Sequence, residues 1–119
     1  MAVVKPTVVY APNGNTNGAL ITWAALANGD TGAPVEGVDF ADRTVQVGGT
    51  FGVGGSVTLQ GGNDNVQWDA LTDPQGNAIT KTAVGLEVIE EGPRYVRPSV
   101  TAGDGTTAIT VTIWARRNR

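Results

Sequence analysis

The chain contains neither cysteine nor histidine, only one methionine, and few aromatic (6%) or charged (16%) residues. Without cysteine it has no disulfide and no thiolate metal site, so packing or assembly must stabilise it. Without histidine and cysteine it also lacks the usual general base, the thiol nucleophile and the commonest metal ligands. We therefore predict a protein that is not an enzyme, with no catalytic residues, no cofactor and no metal site.

Long apolar runs are also missing from the sequence. No segment approaches the ~20 apolar residues of a membrane-spanning helix, and residues 1–30 contain no apolar run long enough for a signal-peptide core. These features predict a protein with no membrane partner that is made and used without secretion.

Positive charge is concentrated near the C-terminus, although the net charge of the chain is −3. Arg116, Arg117 and Arg119 end the sequence. Such an end suits either a solvated tail or contact with an acidic partner surface. Because the chain as a whole is acidic, we do not expect a nucleic-acid partner.

Glycine is abundant, with 17 residues, and it separates short segments in which every second residue is apolar. This pattern is typical of antiparallel strands joined by tight turns. The clearest strand is the last one, in which Ile109, Val111 and Ile113 face one way and Trp114 faces the other. About eight such segments predict an all-β fold, a two-sheet antiparallel sandwich of jelly-roll-like type.

We place a single β-sandwich domain at residues 19–119, preceded by an N-terminal arm and hinge loop at residues 1–18. Residues 3–10 contain Pro6, which predicts an edge strand or an extended arm. Val4, Val8 and Tyr10 are too apolar for a free arm, so we expect pairing with a sheet edge, either its own or that of a neighbouring subunit. Residues 11–18, with two Asn-Gly pairs, form the hinge.

The three tryptophans receive different predictions. Trp23 lies in the segment 19–27, which we interpret as a strand buried on both faces. Trp68 shares a strand face with Val66 and is predicted to lie in the core. Trp114 lies on a polar face beside the C-terminal arginines, where an exposed indole suits a protein interface or a sugar-binding platform.

Two segments carry turn or breaker signals. Pro98 indicates that the strand at 94–100 is an edge strand or contains a bulge. Residues 85–91 fit a strand and a single helical turn equally well, because Leu86 and Ile89 fall three apart and Gly92-Pro93 follows.

Carboxylates offer the remaining route to chemistry. Asp69 with Asp73, or Glu87 with its glutamate neighbours, resembles the acid pair of a glycosidase, but we interpret them as solvated charges. Asn63 and Asp64 suit a turn better than a Ca²⁺ site.

Two runs resemble small structural proteins of tailed bacteriophages, namely head-decoration or cement proteins that clamp the major capsid protein. The runs are SVTLQGGNDNVQWDALTDPQGNAIT at 56–80 and EEGPRYVRPSVTAGDGTTAITVTIWARR at 90–117, and the resemblance covers about residues 42–117. The strand-turn-tryptophan part alone is also similar to discoidin-like and other carbohydrate-binding sandwiches.

The resemblance implies a capsid decoration protein that binds and stabilises the major capsid protein shell on the virion exterior. It further implies a homo-oligomer, a dimer or trimer, made in the host cytoplasm. For this function we predict partner-binding residues at both ends of the chain: Val4, Val8, Tyr10, Trp114, Arg116 and Arg117. The alternative is a carbohydrate-binding module of a phage tail or fibre, with Trp114 or Tyr95 as the platform.

Overall fold

The structure, a computed structural model, describes residues 1–10, 18–36 and 40–117. The predictions for the hinge at 11–17 and for Arg119 lie outside the described residues. Within the described ranges the chain forms twelve strands and no helix. They are β1 (Val3–Val4), β2 (Thr7–Tyr10), β3 (Gly18–Leu26), β4 (Thr31–Gly32), β5 (Val35–Glu36), β6 (Asp42–Thr50), β7 (Ser56–Gly62), β8 (Asp69–Ala70), β9 (Thr80–Lys81), β10 (Gly85–Val88), β11 (Tyr95–Ala102) and β12 (Ala108–Arg116).

The strands form two sheets that pack as a sandwich. The five-stranded sheet has the order β10-β6-β12-β3-β2, and the seven-stranded sheet has the order β1-β4-β11-β7-β8 with β5 on β11 and β9 on β7. The predicted all-β, two-sheet sandwich is confirmed. The strand number exceeds the predicted eight because five of the strands are only two residues long, too short for an alternation to be visible in the sequence. The part of the chain that the structure describes contains no helix with the length and hydropathy of a membrane span.

The core lies between the inner faces of the two sheets. Trp23, Leu26 and Ile109 are fully buried there, with exposed fractions of 0%. The indole Nε1 of Trp23 donates a hydrogen bond to the carbonyl oxygen of Ala33 at 3.0 Å, which satisfies its polar group inside the core. The period-two alternation predicted for the long strands therefore decides which residues form the core.

Two local predictions are corrected by the structure, and a third, left open between a strand and a helical turn, is decided by it. Strand β3 is buried on its inner face alone, since Leu20 on its outer face is 38% exposed. Trp68 lies outside the core, and Val66 beside it is 76% exposed, because residues 63–68 form a loop rather than a strand. The segment that fitted both a strand and a helical turn contains strand β10, paired with β6.

Pro98 lies in β11, inside the seven-stranded sheet rather than at its edge. On one side Pro98 is opposite Leu59 of β7. On the other side two short strands meet β11, β5 at Tyr95 and Val96 and β4 at Ser99. The proline therefore occupies the break between these two ladders, where its missing N–H costs no ladder hydrogen bond.

The N-terminal arm, residues 1–10, pairs with both sheets of its own chain. Strand β1 runs parallel to β4 in the seven-stranded sheet. After Lys5-Pro6 the arm crosses to the other sheet, where β2 pairs antiparallel with β3. The expectation of pairing with a sheet edge is thus met in this structure by edges of the same chain.

Asp104 joins two loops at one end of the sandwich. Its carboxylate accepts hydrogen bonds from the Val53 N–H at 2.8 Å and from the Thr106 hydroxyl and N–H at 2.7 Å and 2.9 Å. These donors, led by the Val53 N–H, lower the pKa of Asp104 to about 2. Because only the ionised form accepts all of these bonds, the loop junction depends on pH.

We predict that Asp104→Asn lowers the melting temperature at pH 7. The pKa of the carboxyl falls on folding, from about 3.9 in the unfolded chain, so its stabilising contribution is complete above about pH 4 and is lost as the pH falls towards 2. Melting curves of both proteins between pH 2 and 7 test this. The difference in melting temperature should shrink over that window, and a difference that stayed constant with pH would contradict the assignment.

Candidate interaction surface

An apolar row crosses the outer face of the five-stranded sheet. Strand register places Val88, Thr44, Trp114, Leu20 and Val9 directly opposite one another on the five successive strands. Residues opposite each other in an antiparallel pair point to the same face. At the usual spacing of about 4.8 Å between strands the row is roughly 19 Å long. We call it the Trp114 row.

The apolar side chains of the Trp114 row remain accessible to solvent at one end of the sheet. Trp114 is 37% exposed, Leu20 38% and Val9 56%. The indole of Trp114 lies across Gly18, since a Cβ at that glycine would be 2.7 Å from the ring. A residue other than glycine at position 18 would therefore push the indole away from the sheet.

A shallow depression lies on the same outer face. It has a volume of about 350 Å³ and is lined by Gly48, Val84, Thr110 and Thr112 among others. Apart from residues 47–49 themselves, no described atom lies within 4 Å of the position that a Cβ at Gly48 would take. The outer face thus carries a partly exposed indole and, elsewhere on the same face, a shallow hollow, a relief that a partner protein can match.

Two arginines stand at the end of β12, next to the Trp114 row. Arg116 lies opposite Asp42 in the register, and its Nε donates a hydrogen bond to the Asp42 carboxylate at 3.1 Å. The Arg116 side chain is 49% exposed while that of Asp42 is 8% exposed. Arg117 follows and is exposed. The apolar row is therefore bordered by cationic groups on one side.

The structure brings together some of the predicted partner-binding residues and separates others. Trp114, Arg116 and Arg117 lie together at the end of β12. Val8 and Tyr10 are 43% and 58% exposed. They lie on the inner face of the five-stranded sheet, whereas Trp114 lies on its outer face, because they pair with inward-facing residues of β3. Val4 packs against the core from β1.

Val9 and Leu20 belong to the same surface but were not predicted. The sequence shows that each is apolar and alternates with its neighbours. Which of the two faces of a strand looks outward depends on the register with β12, and that register is not visible in the sequence.

The outer face of the seven-stranded sheet carries a second aromatic feature. The Arg97 guanidinium lies over the Trp68 ring, 4.1 Å from its centroid, and Arg97 Nε donates to the Gln60 side chain at 2.9 Å. Arg94 lies 5.2 Å from the centroid of the Tyr95 ring. Each of these aromatic rings therefore has a cation of its own chain against it.

Candidate acidic residues meet in a groove of about 640 Å³ at the rim of the seven-stranded sheet. Asp64, Asp69 and Glu91 line it together with Leu71 and Pro93. The N–H groups of Gln67 and Val66 donate to Asp64 and lower the pKa of its carboxyl. The groove therefore combines negatively charged carboxylates with a few apolar side chains.

The carboxylate pairs that the sequence analysis considered, and interpreted as solvated charges, are not assembled in this groove. Asp73 accepts hydrogen bonds from N–H groups of its own turn, and Glu87 pairs with Lys81 at 2.6 Å. Asn63 accepts the N–H of Arg94 at 3.0 Å. Among the residues with a described placement, no three metal-ligating side chains of the Asp, Glu, His or Cys type form a cluster.

No family model and no curated protein matches the sequence. Among solved structures the chain is similar to the SPBc2 prophage-derived protein YomS, with a TM-score of 0.62 over 82% of this chain and 93% of that chain at 14% sequence identity. At that identity the similarity shows a shared β-sandwich fold.

A second solved structure corrects one prediction. The chain also matches peruvianin-I, a cysteine peptidase from Thevetia peruviana latex, with a TM-score of 0.48 and 15% identity over 95% of this chain and 63% of that chain. The prediction that the chain is not an enzyme is therefore wrong as an exclusion, because a peptidase is among the matched structures. A TM-score this low carries no argument for peptidase chemistry, and this sequence contains no cysteine.

Proposed function

We propose that the chain is a structural protein of a phage virion, a decoration protein that binds the exterior of the capsid and stabilises the shell of the major capsid protein. The observation that carries the proposal is the Trp114 row, an exposed apolar surface on a rigid sheet with arginines at its border. Exposed aromatic side chains flanked by arginine are typical of protein interfaces.

Two further observations support this function. The fold is similar over nearly the whole length of a protein that derives from a prophage. The sequence between about residues 42 and 117 resembles phage head-decoration proteins. In the proposed role the chain is made in the host cytoplasm, assembles as a dimer or trimer and places the Trp114 row against the capsid protein.

Capsid binding by Trp114→Ala tests the proposal. We expect a loss of affinity of about thirtyfold, equivalent to ~2 kcal/mol, since a partly exposed tryptophan that becomes buried in an interface is typically a hot spot. The assay is co-sedimentation of purified protein with shells assembled from the major capsid protein of the same phage. Melting temperatures of the variant and the parent should be similar, because the indole lies outside the core.

Val66→Ala is the matched control for that assay. Val66 is 76% exposed on a loop of the other sheet, so its removal should leave the affinity unchanged. Equal binding by the Trp114→Ala variant and the parent protein, or an equal loss in both variants, would contradict the proposed interface.

A further inference from the structure

The N-terminal arm, residues 1–10, binds a site formed by the body of the domain, residues 18–117. The buried Asp30 carboxylate accepts the Ala2 N–H at 3.0 Å. The Thr31 N–H donates to the Ala2 carbonyl at 2.9 Å and the Ala33 N–H donates to the Val4 carbonyl at 2.7 Å. These are main-chain contacts of the arm, so any identical arm at the same place would make them.

The side chains of the arm contribute little burial to its own domain. Val4 packs against the core, whereas all four residues of β2 are exposed and Val3 is 69% exposed. The arm is thus held by backbone pairing with β3 and β4 while most of its apolar surface stays in contact with water. A surface of this kind is usually covered in the assembled protein.

The connector between the arm and the body is long relative to the domain. Seven residues, 11–17, separate Tyr10 from Gly18. At about 3.3–3.6 Å per residue, the eight steps between those two Cα atoms allow a separation of at most roughly 26–29 Å. The shortest dimension of the molecule is 26 Å. The connector therefore suffices to carry the arm to the body of an adjoining copy.

From these observations we propose that the arm is exchanged between two copies of the chain, so that residues 1–10 of each copy pair with β3 and β4 of the other. The proposal rests on the self-association included in the proposed function. Exchange retains the contacts of Ala2 and Val4 and brings two bodies together, so that Val8 and Tyr10 acquire a surface against which to pack. An interface in which each copy gives and receives the same element is closed and symmetric.

Engineered cysteines test the exchange, because the natural chain has none. Val9 and Leu20 are directly opposite each other, and the Cα separation of about 4.5–5.5 Å for such partners permits a disulfide. One chain carries Val9→Cys and another carries Leu20→Cys. The two are unfolded, mixed, refolded and oxidised. Exchange predicts a disulfide-linked heterodimer on non-reducing gels.

The control uses two positions that both belong to the body. Gln46 and Thr112 are opposite each other on β6 and β12, so Gln46→Cys in one chain and Thr112→Cys in another should give no heterodimer above the background. A chain carrying both Val9→Cys and Leu20→Cys should form a covalent dimer held by two disulfides. A monomer with an internal disulfide, together with no heterodimer in the first mixture, would overturn the proposal.

The outcome is separable from that of capsid binding. If the double-cysteine chain is an internally cross-linked monomer while the parent protein binds capsid shells, the arm exchange is overturned and the decoration function stands. If it forms the covalent dimer but the parent protein does not bind shells, the exchange stands and the decoration function fails.

Discussion

Replacing Trp23 with alanine will lower the free energy of unfolding by about 3–5 kcal/mol, the usual cost of removing a buried tryptophan. Trp23 has an exposed fraction of 0% and lies between the two sheets. The substitution leaves a cavity that the surrounding β-sandwich fills incompletely. It also leaves the Ala33 carbonyl oxygen, which accepts the indole N–H at 3.0 Å in the parent protein, without its donor. For a domain of this size we expect the melting temperature to fall by roughly 12–20 °C.

Denaturant titration of Trp23→Ala, with Trp68→Ala as the matched control, measures this effect. Trp68 is also a tryptophan, but it lies on the outer face, where the Arg97 guanidinium over its ring contributes about 0.5–1 kcal/mol. Removing it should cost far less than removing Trp23. Equal losses in the two variants would contradict the placement of the core between the two sheets.

Asp30→Ala will release the N-terminal arm and cost about 1–3 kcal/mol, the penalty for buried hydrogen-bonding groups that lose a partner. Asp30 is buried, with 8% of the residue exposed. Its carboxylate accepts hydrogen bonds from the Ala2 N–H at 3.0 Å and from the Ala27 N–H at 2.9 Å. One bond holds the arm and the other closes the turn after β3. The same carboxylate serves the arm whether the arm comes from its own chain or from a second copy.

Amide hydrogen exchange distinguishes release of the arm from a general loss of stability. The N–H groups of Thr31 and Ala33 donate to the arm and should exchange faster in Asp30→Ala, while those of β6 and β12 keep their relative protection. Asp73→Ala is the control, because Asp73 also accepts two N–H groups, but within an exposed turn. Faster exchange at Thr31 in both variants, or in neither, would contradict the role of Asp30.

The long strands could be predicted from the sequence because their signal is local. In β12, Ile109 and Ile113 alternate with polar residues, and a strand with one buried face requires that alternation. The short strands carry no such signal. Strands β4 and β5 are defined by their hydrogen bonds to β11, and only the folded chain brings them together.

The wrong local predictions share a physical cause. The strand face shared with Val66 predicts Trp68 in the core, yet residues 63–68 form a loop and the indole is instead covered by Arg97. Pro98, which has no N–H to donate, predicts an edge strand or a bulge. The strand lies inside the sheet, its register with β7 shifts between Val100 and Ala102, and the ladder on its other side breaks at Pro98. In both cases contacts with residues distant in sequence override the local pattern.

The candidate surface was predictable only in part. Trp114 stands out in the sequence because it lies on the polar face of an otherwise regular strand. Its neighbours Leu20 and Val9 lie about 90 and 105 residues earlier in the sequence. They are brought beside Trp114 by the register of β12 with β3 and of β3 with β2. Single-sequence reasoning has no access to that register.

Quantitative mass spectrometry of purified phage particles tests the central claim, that this chain decorates the capsid, most directly. The particles come from the phage that encodes the chain, and the copy number of the chain is measured relative to that of the major capsid protein. A decoration protein should be present in copies comparable to the capsid subunits. Absence of the chain from particles, or presence only at the low copy number of a tail component, would contradict the claim.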